Sequence, residues 1–256
     1  MGALREPRSR SSFRAVTVAK SGGMSLSSGD TSRGSFPVID RVGSPAELLE
    51  LLPHRARLSC IAHPLSKAVV LGSAQRATDI DEAACEAEGY DILRRRSGGG
   101  AVLVAPGDQV WLDVFVPVSD PLFNTDVHVA TYWLGELWKE VLSEVVGATA
   151  KLSMHRGKAV SSAWSSSVCF SGLGPGEITV DGYKVVGVSQ RRSRYGAWLF
   201  SLALVNFDPL RLARMIAPHL GDKKELVDTL SAQVKGLGFD AWVLEDVLRR
   251  HLGGVA

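Results

Sequence analysis

The densest chemistry in the chain lies at Arg94-Arg95-Arg96-Ser97-Gly98-Gly99-Gly100-Ala101. Three adjacent glycines let a backbone take positive φ and approach a ligand with no Cβ in the way, so their N–H groups can converge on an anion. The neighbouring arginines offer planar guanidinium donors to a phosphate or carboxylate. The segment is not a P-loop, since it lacks GxxxxGK[ST], and not a dinucleotide fingerprint, since GxGxxG is absent. A glycine linker beside a solvated basic turn explains the same composition. Position favours a binding loop, because floppy linkers between a strand and a helix are uncommon.

A second constellation runs from Cys169 through Gly172, Gly174, Gly176 and Glu177 to Asp181-Gly182-Tyr183-Lys184 and on to Gly187. Lys184 stands two residues past a turn with Val185 and Val186 behind it, where an ammonium can be partly desolvated and aimed into a cleft. A solvated strand face is the commoner fate of a lysine. Cys169 reads either as a small buried hydrophobe or as a nucleophile, and its surroundings decide. The six histidines show no HxxxH or HExxH spacing, so no metal cluster is expected from them. Asp113 alternates with apolar neighbours and reads as facing water, and Trp111, Trp133, Trp138, Trp164, Trp198 and Trp242 read as core.

The elements that must position these residues follow from periodicity. Ser44-Pro45 caps a first helix carrying Leu48, Leu49, Leu51 and Leu52 and ending at Pro53. Residues 68–71 form a strand, and a helix over 79–88 takes Asp79 as its cap and Gly89 as its terminator. Residues 101–104 and 110–116 read as a hairpin turning at Pro106-Gly107-Asp108. Val129, Trp133, Leu137, Val141 and Val145 mark a long helix within 126–146. Ile178–Val180 and Tyr183–Val186 flank Asp181-Gly182, the dipeptide suited to a type I′ turn. A strand over 197–205 and helices over 209–220, 223–230 and 241–252 complete an α+β chain with a mainly antiparallel sheet.

Composition excludes whole classes. Of 256 residues 45% are hydrophobic, enough for a sizeable core without staples. A net charge of +2 argues against polyanion binding, so no nucleic-acid partner is expected. No apolar run is long enough to span a membrane. Cys60, Cys85 and Cys169 make no CxxC pair, which points to a reducing, cytoplasmic setting. Residues 1–36 hold nine serines and six basic residues against Glu6 and Asp30. They read as a disordered tail within which Met24 is an alternative start, leaving 37–256 as one catalytic domain with a helical end from about residue 208.

The two motifs together, Arg94-Arg95-x-Ser97-Gly98-Gly99-Gly100-Ala101 and Asp181-Gly182-Tyr183-Lys184-Val185-Val186-Gly187, resemble the lipoate–protein ligase and octanoyltransferase family, over roughly residues 44–205. The resemblance implies a fold like the catalytic domain of class II aminoacyl-tRNA synthetases and biotin ligases. It implies transfer of a lipoyl or octanoyl group to the lysine of a lipoyl carrier domain, of the 2-oxoacid dehydrogenase E2 or glycine-cleavage H protein type. The donor would be an acyl adenylate made from Mg·ATP or a thioester on acyl carrier protein; the alternative is a non-catalytic relative that binds an acyl adenylate or a carrier. Arg95, Ser97, Gly98, Gly99, Gly100, Ala101 and Gly187 would then line the acyl or adenylate site. Lys184 would contact the acyl carbonyl, Cys169 would be the covalent relay of the octanoyltransferase branch, and Trp111 and Trp198 would flank an acyl tunnel. Asp108, standing where the ligases have asparagine, is the candidate Mg²⁺ ligand.

Overall fold

Four long strands pair into the spine of the protein: β2 (Leu58–Pro64), β6 (Gln109–Pro117), β9 (Tyr183–Ser193) and β10 (Gly196–Leu204). A computed structural model describes residues 34–253 apart from Pro53. The expectations for a disordered tail over residues 1–33, for Met24 and for the stop at Pro53 fall outside the described residues. The tail's expected end at residue 36 is corrected: Phe36 is buried, stacks on Trp133 and donates its N–H to Leu252 O at 2.9 Å. With β1 (Val38–Gly43), β7 (Leu152–Met154) and β8 (Ile178–Val180), the spine makes a seven-stranded sheet in the order β1-β2-β6-β10-β9-β8-β7. It is antiparallel except for the β1–β2 pair. A second sheet of β3 (Lys67–Leu71), β4 (Tyr90–Arg94) and β5 (Val102–Val104) has the order β4-β3-β5.

Register decides what each face of the large sheet presents, because residues directly opposite one another share a face. One row reads Ala62, Trp111, Leu202 and Gly187; the next reads Cys60, Asp113, Phe200 and Ser189. The opposite face carries Ile61, Leu112, Val114 and Leu199 and is covered by α3 (Tyr132–Val145) and α6 (Ala241–His251). There the Trp138 indole N–H donates to Ser201 Oγ at 2.9 Å. The first face is covered by the small sheet together with α4 (Pro209–Met215) and α5 (Lys223–Gln233). Two apolar layers therefore sandwich the large sheet, and the small sheet faces one of them across a gap.

Several local expectations are corrected by this packing. Residues 101–104 and 110–116 do not form a hairpin: β5 pairs with β3 and β6 with β2 and β10, so the turn between them passes the chain from one sheet to the other. The first helix, α1 (Pro45–Leu48), is one turn closed by a Ser44–Glu47 capping box, and Leu49 and Leu51 leave it to pack on the small sheet's side. The second, α2 (Glu82–Glu88), is capped by Asp81 rather than Asp79, which lies in a preceding 3₁₀ turn. In α3 the buried stripe is Leu134, Leu137, Trp138, Val141 and Leu142, while Val129 precedes the helix and is exposed. Trp242 is 67% exposed and is not core. The turn at Asp181-Gly182, with φ of 52° and 87°, has the conformation expected of it.

Helix α3 also contains Gly135, whose replacement by alanine would normally stabilise a helix by about 1 kcal/mol. Here an added Cβ would fall 2.5 Å from the Gly176 carbonyl oxygen and 2.4 Å from Met154 Sδ. Gly135→Ala is expected to lower stability by about 1–3 kcal/mol in urea denaturation; a gain would contradict this packing.

Candidate active site

Of the glycine segment, Arg95, Arg96 and Ser97 line the gap between the sheets, whereas Gly98, Gly99, Gly100 and Ala101, expected to line the acyl site, are not among its lining residues. The segment is braced from behind, not open to an anion on its arginine side. Arg94 donates to the carbonyls of Gly72 and Gln75, and Arg95 donates to Val70 O at 3.0 Å, Gly98 O at 2.7 Å and Gly100 O at 2.9 Å. Arg96 is exposed and stands 3.4 Å from Glu50. Arginines expected to offer their forks to a ligand thus spend them largely on this protein's own backbone. A Cβ on Gly72 would fall 1.7 Å from Gly99 O, and one on Gly100 would fall 2.4 Å from Val168 N, so only glycine permits these approaches. Ala101 is fully buried and bridges to Val168, whereas Gly98 and Gly99 are exposed. Among the described residues the N–H groups of Gly98, Gly99 and Gly100 donate to no protein acceptor. Ser97, buried, exchanges a 2.9 Å hydrogen bond with Ser189 on β9 and so ties the loop to the large sheet.

Between the sheets lies a cleft of about 640 Å³, counted to its open mouth. Val70, Val102 and Val104 form its roof, Trp111 and Leu202 its floor, and Leu49 and Leu51 its edge. Cys169 lines it, half-buried, with Arg95 Nη2 3.9 Å from its sulfur. The other two thiols are buried, and burial pushes Cys60 up to about 12 and Cys85 to about 11. Cys169 is therefore the one thiol of the three with access to a ligand and a guanidinium beside it, the surroundings a reactive cysteine needs. Trp111 is on the cleft wall as expected; Trp198 is not among the lining residues and packs instead against Phe115 and Phe200.

Lys184 is buried, but it does not reach into this cleft. Its Nζ stands 2.6 Å from Glu177 Oε2, donates to Gly172 O at 2.8 Å and Cys169 O at 3.2 Å, and lies 4.8 Å from the centre of the Phe170 ring. These contacts make Lys184 a brace on the backbone of residues 169–172. Lys184 also lines a second groove with Ser162, Thr179 and Gln233. Glu177, which sequence reasoning left without a role, also accepts from Gly174 N at 2.5 Å and Val188 N at 3.0 Å. Gly187 lines the cleft and makes room for Phe170, whose Cζ would lie 2.9 Å from an added Cβ.

Two carboxylates have partners that the sequence did not show. Asp108, the candidate Mg²⁺ ligand, stands in an ion pair in which its Oδ2 accepts from Arg211 at 2.7 Å. Asp113 does not face water. It is 4% exposed, lines the cleft, and accepts from the Trp111 indole N–H at 2.7 Å. Burial raises its carboxyl to about 7, against the opposing pull of Trp111 and Arg41. Its signal was its alternation with apolar residues, which in a sheet covered on both faces means burial either way.

These features meet in one family. Residues 52–238 match the family described as the lipoyl protein ligase A/B catalytic domain, and the chain belongs to it. Among curated proteins it is 34% identical to an octanoyltransferase LipM of Exiguobacterium sp. (strain ATCC BAA-1283 / AT1b) over 129 residues, 49% of this chain and 46% of that protein. It is 24% identical to an octanoyltransferase LipM of Clostridioides difficile (strain 630) over 147 residues, 57% and 53% of the two chains. The chain thus spans about half the length of the curated relatives it matches. In fold it is similar to the bipartite lipoate protein ligase of Thermoplasma acidophilum, with a TM-score of 0.64, 13% identity, and coverage of 86% and 82% of the two chains. No described helix is long and apolar enough to cross a membrane.

Removing Glu177 would strand a buried ammonium, so Glu177→Ala is expected to cost about 3–5 kcal/mol in chemical denaturation; a cost below about 1 kcal/mol would mean that Lys184 does not depend on it. For Asp113 the native carboxyl binds its proton more tightly than the unfolded one, so wild-type stability falls as pH rises from the ordinary 3.8 to about 7. The melting-temperature advantage of Asp113→Asn should widen over that window; a constant difference would contradict the buried carboxyl.

Proposed function

We propose that the chain transfers an octanoyl or lipoyl-type acyl group to the lysine of a lipoyl carrier domain through a thioester on Cys169. The carrying observation is a half-buried thiol at the wall of an apolar cleft, with the Arg95 guanidinium 3.9 Å from its sulfur. Cys169 gives up its thiol proton to solvent and attacks the carbonyl carbon of a donor thioester; a new C–S bond forms, the donor's C–S bond breaks, and the departing donor sulfur takes one proton back from solvent. The neutral amine of the carrier lysine then attacks, an amide C–N bond forms, and Cys169 sulfur departs and regains a proton from the nitrogen. The unpaired N–H groups of Gly98 to Gly100 are the candidate donors to the carbonyl oxygen as charge develops on it. Lys184 acts as a positioning residue, holding the backbone that carries Cys169. Support comes from the family match and from the octanoyltransferase names of the two curated relatives.

Acyl carrier protein is the donor this reading favours, and the acceptor is an E2 or H protein type of lipoyl domain. The competing reading, ATP-dependent ligation of lipoate, is an outcome of the same experiment. Purified protein is incubated with lipoyl domain and either octanoyl carrier protein or lipoate with Mg·ATP, and masses are read intact. The expected result is a mass gain on Cys169 and on the lipoyl domain without ATP, lost by roughly a thousandfold in Cys169→Ser. Transfer that requires ATP and survives Cys169→Ser would overturn the relay, and acyl binding without transfer in either mixture would select a non-catalytic role.

A further inference from the structure

Beyond residue 36 the chain carries 23 Lys and Arg against 25 Asp and Glu, so a cluster of unpaired positive charge departs from its average. Arg191-Arg192-Ser193-Arg194, at the end of β9 and the turn into β10, is such a cluster. Arg192 is used internally, donating to the carbonyls of Asn124 and Thr125. Arg191 is exposed and, among the described residues, has neither a carboxylate nor a hydrogen-bond acceptor. Arg194 and Arg55, both exposed, lie 4.7 Å and 5.1 Å from the centre of the same Tyr195 ring. Neither has a carboxylate partner among the described residues, and Asp120 is taken by Arg57. Like charges gathered in this way repel one another, and an anionic partner relieves them.

The register ties this cluster to the cleft. Side chains two apart on a strand share a face, and Gly187 and Ser189 of β9 both line the cleft. Arg191 is the next residue on that face, roughly 7 Å beyond Ser189 at the rise of a strand, in the row Arg191, Trp198, Phe115 and Leu58. Ser189 is bonded to Ser97, and the residue before Ser97 is Arg96, the one exposed residue among those lining the cleft. Arg96 therefore marks the mouth. Its contact with Glu50, between side chains 58% and 71% exposed, is a weak surface pair that can exchange partners. A basic strip thus runs from Arg96 at the mouth through Arg191 to Arg194 and Arg55 at the hairpin end.

The two partners in acyl transfer make different demands on the protein. A donor brings an acyl chain that the apolar cleft can grip. An acceptor brings only a lysine amine, chemically like every other lysine, so its selection must come from surface outside the cleft. We propose that the strip of Arg96, Arg191, Arg194 and Arg55 is the docking surface for the lipoyl carrier domain that accepts the acyl group, and that it recognises acidic surface around that domain's acceptor lysine. This rests on the acyl-transfer reading and adds how the acceptor is chosen.

The test loads Cys169 of the full chain from a small neutral octanoyl thioester and follows transfer, by mass, to the lipoyl domain or to free Nα-acetyl-lysine. Binding of the lipoyl domain is read separately by calorimetry. Arg191→Glu is expected to raise the KM for the domain by about tenfold, and its combination with Arg194→Glu by about a hundredfold, with loading and transfer to the free amine unchanged. The matching Gln variants, which remove charge without reversing it, should shift KM less in the same direction. Wild-type transfer to the domain should weaken between about 0.1 M and about 1 M salt, as the screening length shrinks from roughly 10 Å to 3 Å, and the double Glu variant should lose that dependence. Lys224→Glu makes an equal change of charge on α5, which meets β9 at its Lys184 end, and should leave KM as in wild type. A KM unchanged in the double variant, an equal rise in Lys224→Glu, or an equal loss with the free amine overturns the proposal while leaving acyl transfer intact. Failure of wild-type Cys169 to load would sink the relay instead; docking is then decided by calorimetry, where binding weakened in the double variant supports the strip and binding that is absent or unchanged overturns it.

Discussion

The backbone around Cys169 hangs from one buried ion pair. Lys184 on β9 and Glu177 just before β8 meet at 2.6 Å with side chains 4% and 5% exposed, and the remaining valences of both are used on backbone. The ammonium holds the carbonyls of Cys169 and Gly172, and the carboxylate holds the amides of Gly174 and Val188. A segment of 3₁₀ turn and glycine-rich loop, whose Phe170 is buried in the core beneath the small sheet, is thereby also pinned by polar bonds to the large sheet. Such pairs gain little net stability over a hydrophobic replacement, because desolvation offsets the Coulomb attraction. What this one supplies is position, and Cys169 is the residue positioned.

The cleft shows the same division between apolar bulk and a few fixed polar groups. Its roof and floor come from two different sheets, so neither sheet alone makes a binding site. The glycine loop joins them, with Arg95 as its internal strut and the Ser97–Ser189 bond as its anchor. Arg95 serves twice, since the guanidinium that braces the loop also stands beside the sulfur. Among the described residues Asp113 is the one carboxyl in that lining, which also includes Arg95, Arg96, Ser97, Ser189 and Ser201.

Legibility in the sequence followed the range of the interactions involved. Local signals were read well: the Ser44 cap, the Gly89 terminator, the Asp181-Gly182 turn and the long amphipathic helix all depend on neighbours a few residues apart. Misreadings arose where a distant partner intervened. The apparent hairpin at residues 101–116 failed because β3 and β10 offered better partners than the two strands offered each other. Asp113 was misplaced because alternation names two faces and cannot say that both are covered. Arg94 and Arg95 were recognised as important, but their targets, the carbonyls of residues 70–75 and 98–100, are brought to them only by folding.

By itself, the sequence determined the α+β class, the two motifs and the candidate thiol, because backbone preferences and side-chain chemistry are properties of short segments. The family followed from those motifs. Only the tertiary structure decided that Lys184 braces a loop, that Asp108 belongs to Arg211, and that Asp113 looks into the cleft with Cys169. Each of those outcomes is a competition between partners far apart in the chain, settled by which of them the two sheets bring within a few ångströms.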